Sequence, residues 1–248
     1  MADELARAYA FLARADMAGE RTADSSVGTA VFDDALPKRL DSNFLRVERE
    51  AAGETVRSEA ERLGRRMIFV SDPILGESLV PFFKEQGWRV NRVVVMAQRR
   101  EPEREADLSR VREVREEDLR AARTRLNAGR PWGAPEVLEQ LFAGRRSIGE
   151  KVDTRFFAVL VDDQVVSYTD LYQDGADAQV EDVGTLLEYR GNGYATSVVL
   201  GAIAEARTNG AEFVFLVADK EDWPKELYRR LGFDELGYYV KFVSPALR

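Results

Sequence analysis

Two adjacent carboxylates, Glu181 and Asp182, lie in a stretch that otherwise has the apolar pattern of a β-strand. The chain contains no histidine and no cysteine, so a general base must be a carboxylate, a tyrosine, a lysine or a water molecule. Two acids in such a strand could take up a proton or hold a cation. Because side chains alternate along a strand, we expect them to point to opposite faces of the sheet. The alternative interpretation is a pair of acids at a solvent-facing edge.

A glycine-containing segment follows at Tyr189–Ala195, between a predicted strand and a predicted helix. Gly191 and Gly193 allow successive backbone N–H groups to turn towards one point without interference from a Cβ atom. The helix after them adds free N–H groups and the positive end of its dipole, and Arg190 adds a charge. This combination suits a pyrophosphate, although a Gly-x-Gly turn taken alone is weak evidence for one.

The elements that position these residues follow from hydrophobic periodicity and turn residues. The second half is predicted as β-α-α-β-β-β-α-β-α-β, with Gln179–Leu186 as a strand and Gly193–Thr208 as the helix after the glycines. Asp162 and Asp163 mark a hairpin turn. The first half is predicted to combine helices with short strands.

A charged, proline-containing segment without apolar periodicity, Gln98–Asp107, separates the two halves. We interpret it as a linker between two domains. The predicted domains are residues 1–104 and residues 105–248.

Amino-acid composition and net charge limit the classes of function that this chain can have. Hydrophobic residues make up 45% and charged residues 32%, as in globular proteins. The net charge of −8 argues against nucleic acid and an anionic membrane as main partners, and the acidity of the second half would suit a cationic amine. Neither a disulfide nor a Cys/His zinc site is possible, and no metal is expected. No stretch is apolar enough to span a membrane and the first residues do not resemble a signal peptide, so we expect a cytoplasmic protein.

Two motifs relate the second half to a known family. Arg190, Gly193 and Ala195 satisfy the pattern Arg/Gln-x-x-Gly-x-Gly/Ala, and a second signature follows one helix and one strand later, at Leu227–Phe233. With them, the chain from about Leu108 to Phe242 resembles the GNAT superfamily of N-acetyltransferases. The resemblance implies an α/β (α+β) fold, in which helices flank a mixed central sheet with two splayed strands.

The resemblance also implies acetyl-CoA (coenzyme A) as the cofactor. Its pyrophosphate would rest on the glycine segment and its pantetheine arm along the preceding strand. The implied binding residues are Gly184, Thr185, Leu186, Arg190, Gly191, Asn192, Gly193, Tyr194 and Ala195. The alternative for Gly184 is a bulge or packing glycine. The family often has an asparagine near the segment Lys220–Pro224, and the chain departs from the family there.

Catalytic roles follow from the same resemblance. In diamine- and aminoglycoside-type members, a Glu-Asp pair at the same distance before the arginine holds the amine and takes its proton, often through water. Glu181 is therefore the favoured base, and Asp182 is a binding residue or the second candidate. Tyr228 stands where the family places its general acid. Its alternative interpretation is an aromatic core residue.

A weak internal repeat relates Ile68–Trp88 to Val214–Phe233. It places Phe83, which cannot donate a proton, at the position of Tyr228. We interpret residues 1–104 as a degenerate GNAT-like copy without a cofactor loop, so that the whole chain resembles tandem GNAT proteins.

Three functions from different classes fit these patterns. The favoured one is transfer of an acetyl group from acetyl-CoA to a primary amine of a small, cationic molecule by direct attack. The alternatives are N-acylation of a peptide or protein and a non-catalytic acyl-CoA sensor, which would need neither the acids nor the tyrosine. The acceptor, the acyl chain preference and the choice between monomer and homodimer stay open.

Overall fold

The computed structural model describes residues 2–15, 17–130 and 132–245. The chain forms two compact units, neither of which is contiguous in sequence. Unit 1 contains the chain up to Val95, Ala218–Asp222 and the chain from Leu236 onwards. Unit 2 contains Met96–Val217 and Trp223–Glu235. These units differ from the predicted ranges 1–104 and 105–248 chiefly because most of the last strand belongs to unit 1.

Unit 1 combines three helices with short strands. Its elements are α1 (Ala2–Arg14), β1 (Arg21–Ser25), β2 (Gly28–Phe32), β3 (Phe44–Val47), α2 (Gly53–Arg62), β4 (Met67–Val70), α3 (Pro73–Glu85) and most of β5 (Arg89–Gln98). The sequence pattern does not predict β1, because most of its residues are exposed or half-buried and it therefore lacks an apolar alternation.

The last strand of the chain, β11 (Phe233–Val243), completes the sheet of unit 1. In that sheet β2 lies antiparallel to β1 and β3, and β3 lies parallel to β4. The segment Val240–Val243 then pairs antiparallel with Met67–Val70 of β4. Phe242 is fully buried there, with its ring centroid 4.6 Å from that of Phe83. The core of unit 1 is thus closed by residues from the end of the chain.

Unit 2 has the element order that the sequence predicts for the second half. Its elements are β6 (Val111–Val114), α4 (Glu116–Asn127), α5 (Pro135–Gly149), β7 (Asp153–Val161), β8 (Gln164–Asp174), β9 (Asp177–Thr185), α6 (Tyr194–Thr208), most of β10 (Phe213–Asp219), α7 (Pro224–Arg230) and the start of β11.

The sheet of unit 2 has the strand order β10-β9-β8-β7-β6. Strands β6 to β9 are antiparallel neighbours, whereas β10 joins β9 in parallel. The turn between β7 and β8 has φ angles of 49° at Asp162 and 60° at Asp163, the left-handed values of a tight hairpin. The predicted hairpin is therefore confirmed.

Helices cover both faces of this sheet. On one face, Arg123 of α4 and Arg145 of α5 reach Asp170 of β8. On the other face, Glu205 of α6 forms an ion pair with Arg155 of β7 at 3.1 Å. We call the face with Arg123, Arg145 and Asp170 the α4–α5 face.

The internal repeat has a structural counterpart in the packing of aromatic rings. Phe83 and Trp88 pack edge to face with centroids 4.9 Å apart, and Tyr228 and Phe233 do so at 6.1 Å. In each case a glycine with positive φ ends the helix just before the second ring. The same local arrangement at both places supports the alignment of Phe83 with Tyr228.

The longest helices, α5 and α6, have 15 residues each. Among the residues that the structure describes, no helix combines the length and the apolar character that a membrane span requires.

Candidate active site

Strands β9 and β10 separate in the middle of unit 2. Their parallel pairing joins Asp177–Gln179 with Phe213–Phe215, whereas β9 continues to Thr185. Beyond Gln179, the side of β9 that faces β10 is no longer used in this ladder. This is the splay that the resemblance implies for the two central strands.

A β-bulge interrupts β9 at Asp182. Glu181 lies opposite Asp170 of β8, and Gly184 lies opposite Tyr168, so the two residues between Glu181 and Gly184 face a single residue of β8. Asp182 has a φ of 49°, in the left-handed region that aspartate adopts more readily than most non-glycine residues.

The bulge overturns one expectation from strand alternation. Asp182 forms ion pairs with Arg123 and Arg145, which also bind Asp170 on the α4–α5 face. Asp170 and Glu181 are directly opposed, so they share this face. Glu181 and Asp182 therefore lie on the same face, and the prediction of opposite faces was wrong because it assumed an unbroken strand.

Arg123, Arg145, Asp170 and Asp182 form a network of ion pairs that we call the Arg–Asp cluster; it is buried at Arg123 and Asp170 and partly exposed at Arg145 and Asp182. The Oδ2 atom of Asp182 accepts from Arg123 Nε at 3.0 Å and from Arg145 Nη2 at 2.5 Å. Asp170 accepts from Arg123 Nη2 through one oxygen and from Arg145 Nε at 3.0 Å through the other. The side chains of Arg123 and Asp170 are only 1% and 0% exposed. Two positive and two negative charges thus balance inside the unit.

Burial and pairing act in opposite directions on the ionisation of this cluster. Burial raises the pKa of Asp170, against the pull of Arg123 and Arg145. Burial would lower the pKa of Arg145, but the nearby Asp182 and Asp170 outweigh it and raise that pKa well above its usual value. Arg145 therefore stays charged, as the pairing requires.

Sequence reasoning missed the two arginines. Arg123 lies four residues after Leu119 and three before Leu126, which places it on the apolar stripe of α4. Asp170 lies within an otherwise buried strand. Arg123 and Asp170 are charged residues at sequence positions that the pattern predicts to be buried, and this was the signal that could have identified the cluster.

Glu181 is half-buried beside the cluster and has a different set of contacts. The side-chain amide of the fully buried Gln179 donates to Glu181 Oε2 at 2.7 Å. The backbone oxygen of Glu181 accepts from Thr169 Oγ1 at 2.8 Å. These bonds orient the residue where β9 parts from β10, and its partial exposure makes the carboxylate accessible to a ligand.

Gly184 fits the alternative interpretation from the sequence, that of a packing glycine. A Cβ atom there would lie 2.4 Å from Cζ of Tyr168, closer than any real contact. The following residues, Thr185 and Leu186, lead directly into the glycine segment, and the Leu186 N–H bonds to Val166 O at 2.9 Å.

The glycine segment forms an exposed loop at the start of α6. Gly191 and Gly193 have φ angles of 80° and 79°, and neither would bring a Cβ atom within 4 Å of another group. The Ser197 N–H bonds to Gly193 O at 3.0 Å, so the three N–H groups before it have no partner within the helix. Arg190 is exposed beside them. The loop therefore has the free N–H groups and positive charge that a pyrophosphate requires.

An open cavity of about 610 Å³ adjoins this loop. The segment 103–107 forms one wall, and the Glu103 N–H bonds to Arg230 O at 2.8 Å. The remaining lining comes from the loop and two helices: Asn192, Gly193, Thr196, Ser197, Leu227, Arg230 and Leu231. The size is typical of a cofactor site, and the donors at its edge fit the phosphates of coenzyme A.

Tyr228 lies on α7 between Leu227 and the other helix residues that line the cavity. Its side chain is buried and packs edge to face on Phe233. This placement is compatible with both interpretations of Tyr228, as a core aromatic and as an acid near the cofactor.

The corresponding helix of unit 1, α2, begins without a pair of glycines. A Cβ atom on Gly53, its first residue, would lie 2.4 Å from Cγ of Phe82, so this ring packs on Gly53. The preceding segment carries Glu48 and Glu50. The segment before α2 therefore lacks the glycine loop that precedes α6.

Comparisons with known proteins agree with this geometry. The sequence profile of the Acetyltransferase (GNAT) family matches residues 111–233, while no curated protein matches the sequence. Three solved structures resemble the fold over most of both chains. A conserved protein of unknown function from Staphylococcus epidermidis has a TM-score of 0.67 at 15% identity, with 92% of this chain and 94% of that chain covered.

The other two carry names from the same family. A GCN5-related N-acetyltransferase from Kribbella flavida has a TM-score of 0.61 at 16% identity, with 99% and 95% covered. A tandem GNAT protein from the clavulanic acid biosynthesis pathway has a TM-score of 0.54 at 15% identity, with 92% and 84% covered. The matched residues, the splayed strands and the glycine loop lead to one conclusion: residues 111–233 form a domain of the GNAT acetyltransferase family, in a chain with the fold of tandem GNAT proteins.

Proposed function

We propose that the protein transfers an acetyl group from acetyl-CoA to the primary amine of a small, cationic molecule by direct attack of the amine. The observation that carries this proposal is the position of Glu181. It is a half-buried carboxylate at the splay of β9, on the strand that leads into the glycine loop. Acetyl-CoA supplies the thioester, and the residues of the chain bind the reactants and move protons.

The cofactor-binding residues of the proposal are those of the loop and the strand before it. Free N–H groups at the start of α6, together with Arg190, would neutralise the pyrophosphate. The pantetheine arm would lie along the segment Gly184–Leu186 on the open side of β9, where Thr185 would offer backbone groups because the Leu186 N–H is bonded to Val166 O. The wall of the cavity carries Arg230 close to the same helix start.

Proton removal from the amine is assigned to Glu181. An alkyl ammonium must lose a proton before its nitrogen can attack the thioester carbon, and a carboxylate can accept that proton directly or through a water molecule. As the carbon–sulfur bond breaks, the sulfur leaves as a thiolate. Tyr228 is assigned the proton that neutralises it.

The charges around Glu181 support a cationic acceptor. The Arg–Asp cluster is neutral as a whole, so it does not cancel the charge of Glu181. Glu116, at the start of α4, is a further half-buried carboxylate, and burial raises its pKa although Arg123, Arg145 and Arg146 oppose this. A cationic acceptor would place an opposite charge beside the half-buried Glu181.

The proposal is tested by measuring release of the coenzyme A thiol with a panel of amines. Diamines and other polycationic amines should react faster than neutral or anionic amines of similar size. The Glu181→Gln variant should lose activity most at low pH, where more of the amine is protonated. Tight acetyl-CoA binding without thiol release from any amine would favour the sensor interpretation, and a preference for peptides would favour N-acylation of proteins.

Gly193→Glu should abolish the thermal stabilisation by acetyl-CoA. At roughly 100 times its Kd, a ligand stabilises the native state by about 2.7 kcal/mol. The substitution puts a carboxylate at the N–H groups that would face the pyrophosphate. Gly210→Glu is the matched control, because Gly210 ends the same helix with a φ of 85° and equally open surroundings. An undiminished shift in Gly193→Glu would refute the loop assignment.

Calorimetry should find one acetyl-CoA per chain. The segment before α2 lacks a glycine pair, and Phe82 packs on Gly53, so unit 1 has no counterpart of the loop before α6. Full-length protein is required, since unit 1 includes the chain from Leu236 onwards. A second site of comparable affinity that persists in Gly193→Glu would show that unit 1 also binds the cofactor.

A further inference from the structure

We propose that Arg123 and Arg145 are positioning residues for acyl transfer, which hold Asp182 in the bulge of β9 and leave Glu181 as the carboxylate that takes the proton of the amine. The inference rests on the proposed function. It assigns different roles to two adjacent acids that the family resemblance treats as a pair.

The geometry commits Asp182 to the arginines. Its Oδ2 atom is bound by Arg123 Nε at 3.0 Å and by Arg145 Nη2 at 2.5 Å. The same two guanidinium groups bind both oxygens of Asp170, so each arginine bridges the two aspartates through charge-assisted bonds. Turning Asp182 towards an amine would leave the two guanidinium groups, of which that of Arg123 is buried, with one carboxylate between them.

The charges of the cluster also balance. It has two positive and two negative charges, and withdrawing Asp182 would leave one positive charge without a carboxylate partner. Other titratable groups near the cluster include Glu116 from α4, Arg146 from α5 and two tyrosines from β8, Tyr168 and Tyr172. The Tyr172 hydroxyl donates to Asp170 at 3.1 Å, which stabilises the ionised form of the cluster.

Glu181 forms none of the four bonds that join the arginines to Asp170 and Asp182. Its carboxylate accepts from a neutral amide, the Gln179 side chain, at 2.7 Å. It lies on the α4–α5 face, opposite Asp170 and next to the bulge. Glu181 can therefore act on the ammonium group without withdrawing a carboxylate from the cluster.

The ion pairs of Arg123 and Arg145 with Asp182 also act on the backbone. The left-handed conformation of Asp182 sets the direction in which β9 leaves the bulge towards Gly184. Two arginines from different helices fix that conformation from the side. They therefore act on catalysis through the orientation of Glu181 and of the strand beyond it, with no need to touch a substrate.

The test compares Glu181→Gln, Asp182→Asn, Arg145→Gln and the double variant Arg145→Gln/Asp182→Asn in the full-length protein. The readout is kcat/KM against pH for the best amine. Glu181→Gln should lose activity in a way that diminishes as pH rises. Asp182→Asn and Arg145→Gln should each lose on the order of 10²-fold, the usual effect of a small misplacement, by the same factor at every pH. The double variant should recover part of the Arg145→Gln loss, because it removes one charge of each sign.

Arg146→Gln is the matched control, since Arg146 is the exposed neighbour of Arg145 in sequence. It should leave the pH profile unchanged. A loss in Asp182→Asn that diminishes with rising pH would overturn the proposal, because Asp182 would then be the base. Wild-type activity in Arg145→Gln would overturn it as well.

Hydrogen exchange of peptides that contain Glu181–Thr185 provides a readout without turnover. Arg145→Gln should speed exchange in this segment, whereas Arg146→Gln should not. If no amine is acetylated by the wild-type protein, the proposed function fails, yet this comparison still decides whether the arginines hold the bulge. Unchanged exchange in Arg145→Gln would refute the positioning role by itself.

Discussion

Replacing Tyr228 by phenylalanine should lower kcat by a factor of about 10²–10⁴, the usual effect of losing a general acid. The substitution removes one hydroxyl and keeps the ring that packs on Phe233. Acetyl-CoA affinity should change by no more than a few-fold, because a neutral hydroxyl contributes only about 1 kcal/mol as a hydrogen bond. Steady-state kinetics and calorimetry on the same variant measure the two effects separately.

Tyr238→Phe is the control for this experiment, since Tyr238 belongs to unit 1 and its hydroxyl donates to Glu77 at 3.3 Å. It should leave kcat unchanged. If Tyr228→Phe also retained the wild-type kcat, Tyr228 would be a core aromatic and the thiolate would need another proton donor.

Phe242→Ala should destabilise unit 1 by about 3–5 kcal/mol, the cost of deleting a fully buried aromatic ring. The ring lies against Phe83 in a core that also contains Trp88, and the other tryptophans of the chain belong to unit 2. Tryptophan fluorescence during urea unfolding, in a variant that keeps Trp88 alone, would follow this core.

Val243→Ala, one residue further along β11, is the matched control. Val243 is only half-buried, so its truncation should cost much less than that of Phe242. Equal effects of the two substitutions would mean that β11 does not contribute its buried face to the core of unit 1.

Local signals explain the parts of the fold that the sequence predicts. Asp162 and Asp163 form the expected hairpin because a tight turn needs left-handed residues and aspartate tolerates them. Gly210 and Gly232 end their helices with positive φ for the same reason. The effect of such residues extends over only a few positions of the chain, so it can be predicted from the sequence alone.

The features that the sequence does not predict depend on distant partners. The bulge at Asp182 is stabilised by Arg123 and Arg145, which come from two helices earlier in the chain. Alternation along β9 alone therefore predicts the wrong face for Asp182. The place of Val240 and Phe242 in unit 1 is likewise set by pairing with β4, and no local pattern near β11 indicates it.

The pairing of β11 with β4 has a consequence for synthesis on the ribosome. β4 is translated well before its partner segment Val240–Val243, because most of unit 2 lies between them in the sequence. Until then, one side of β4 has no β11 to bond, and the apolar face that Phe242 covers in the finished protein is open. The core of unit 1 can therefore close only after β11 has been translated, whereas the strands and helices of the GNAT domain up to α7 all precede β11 in the chain.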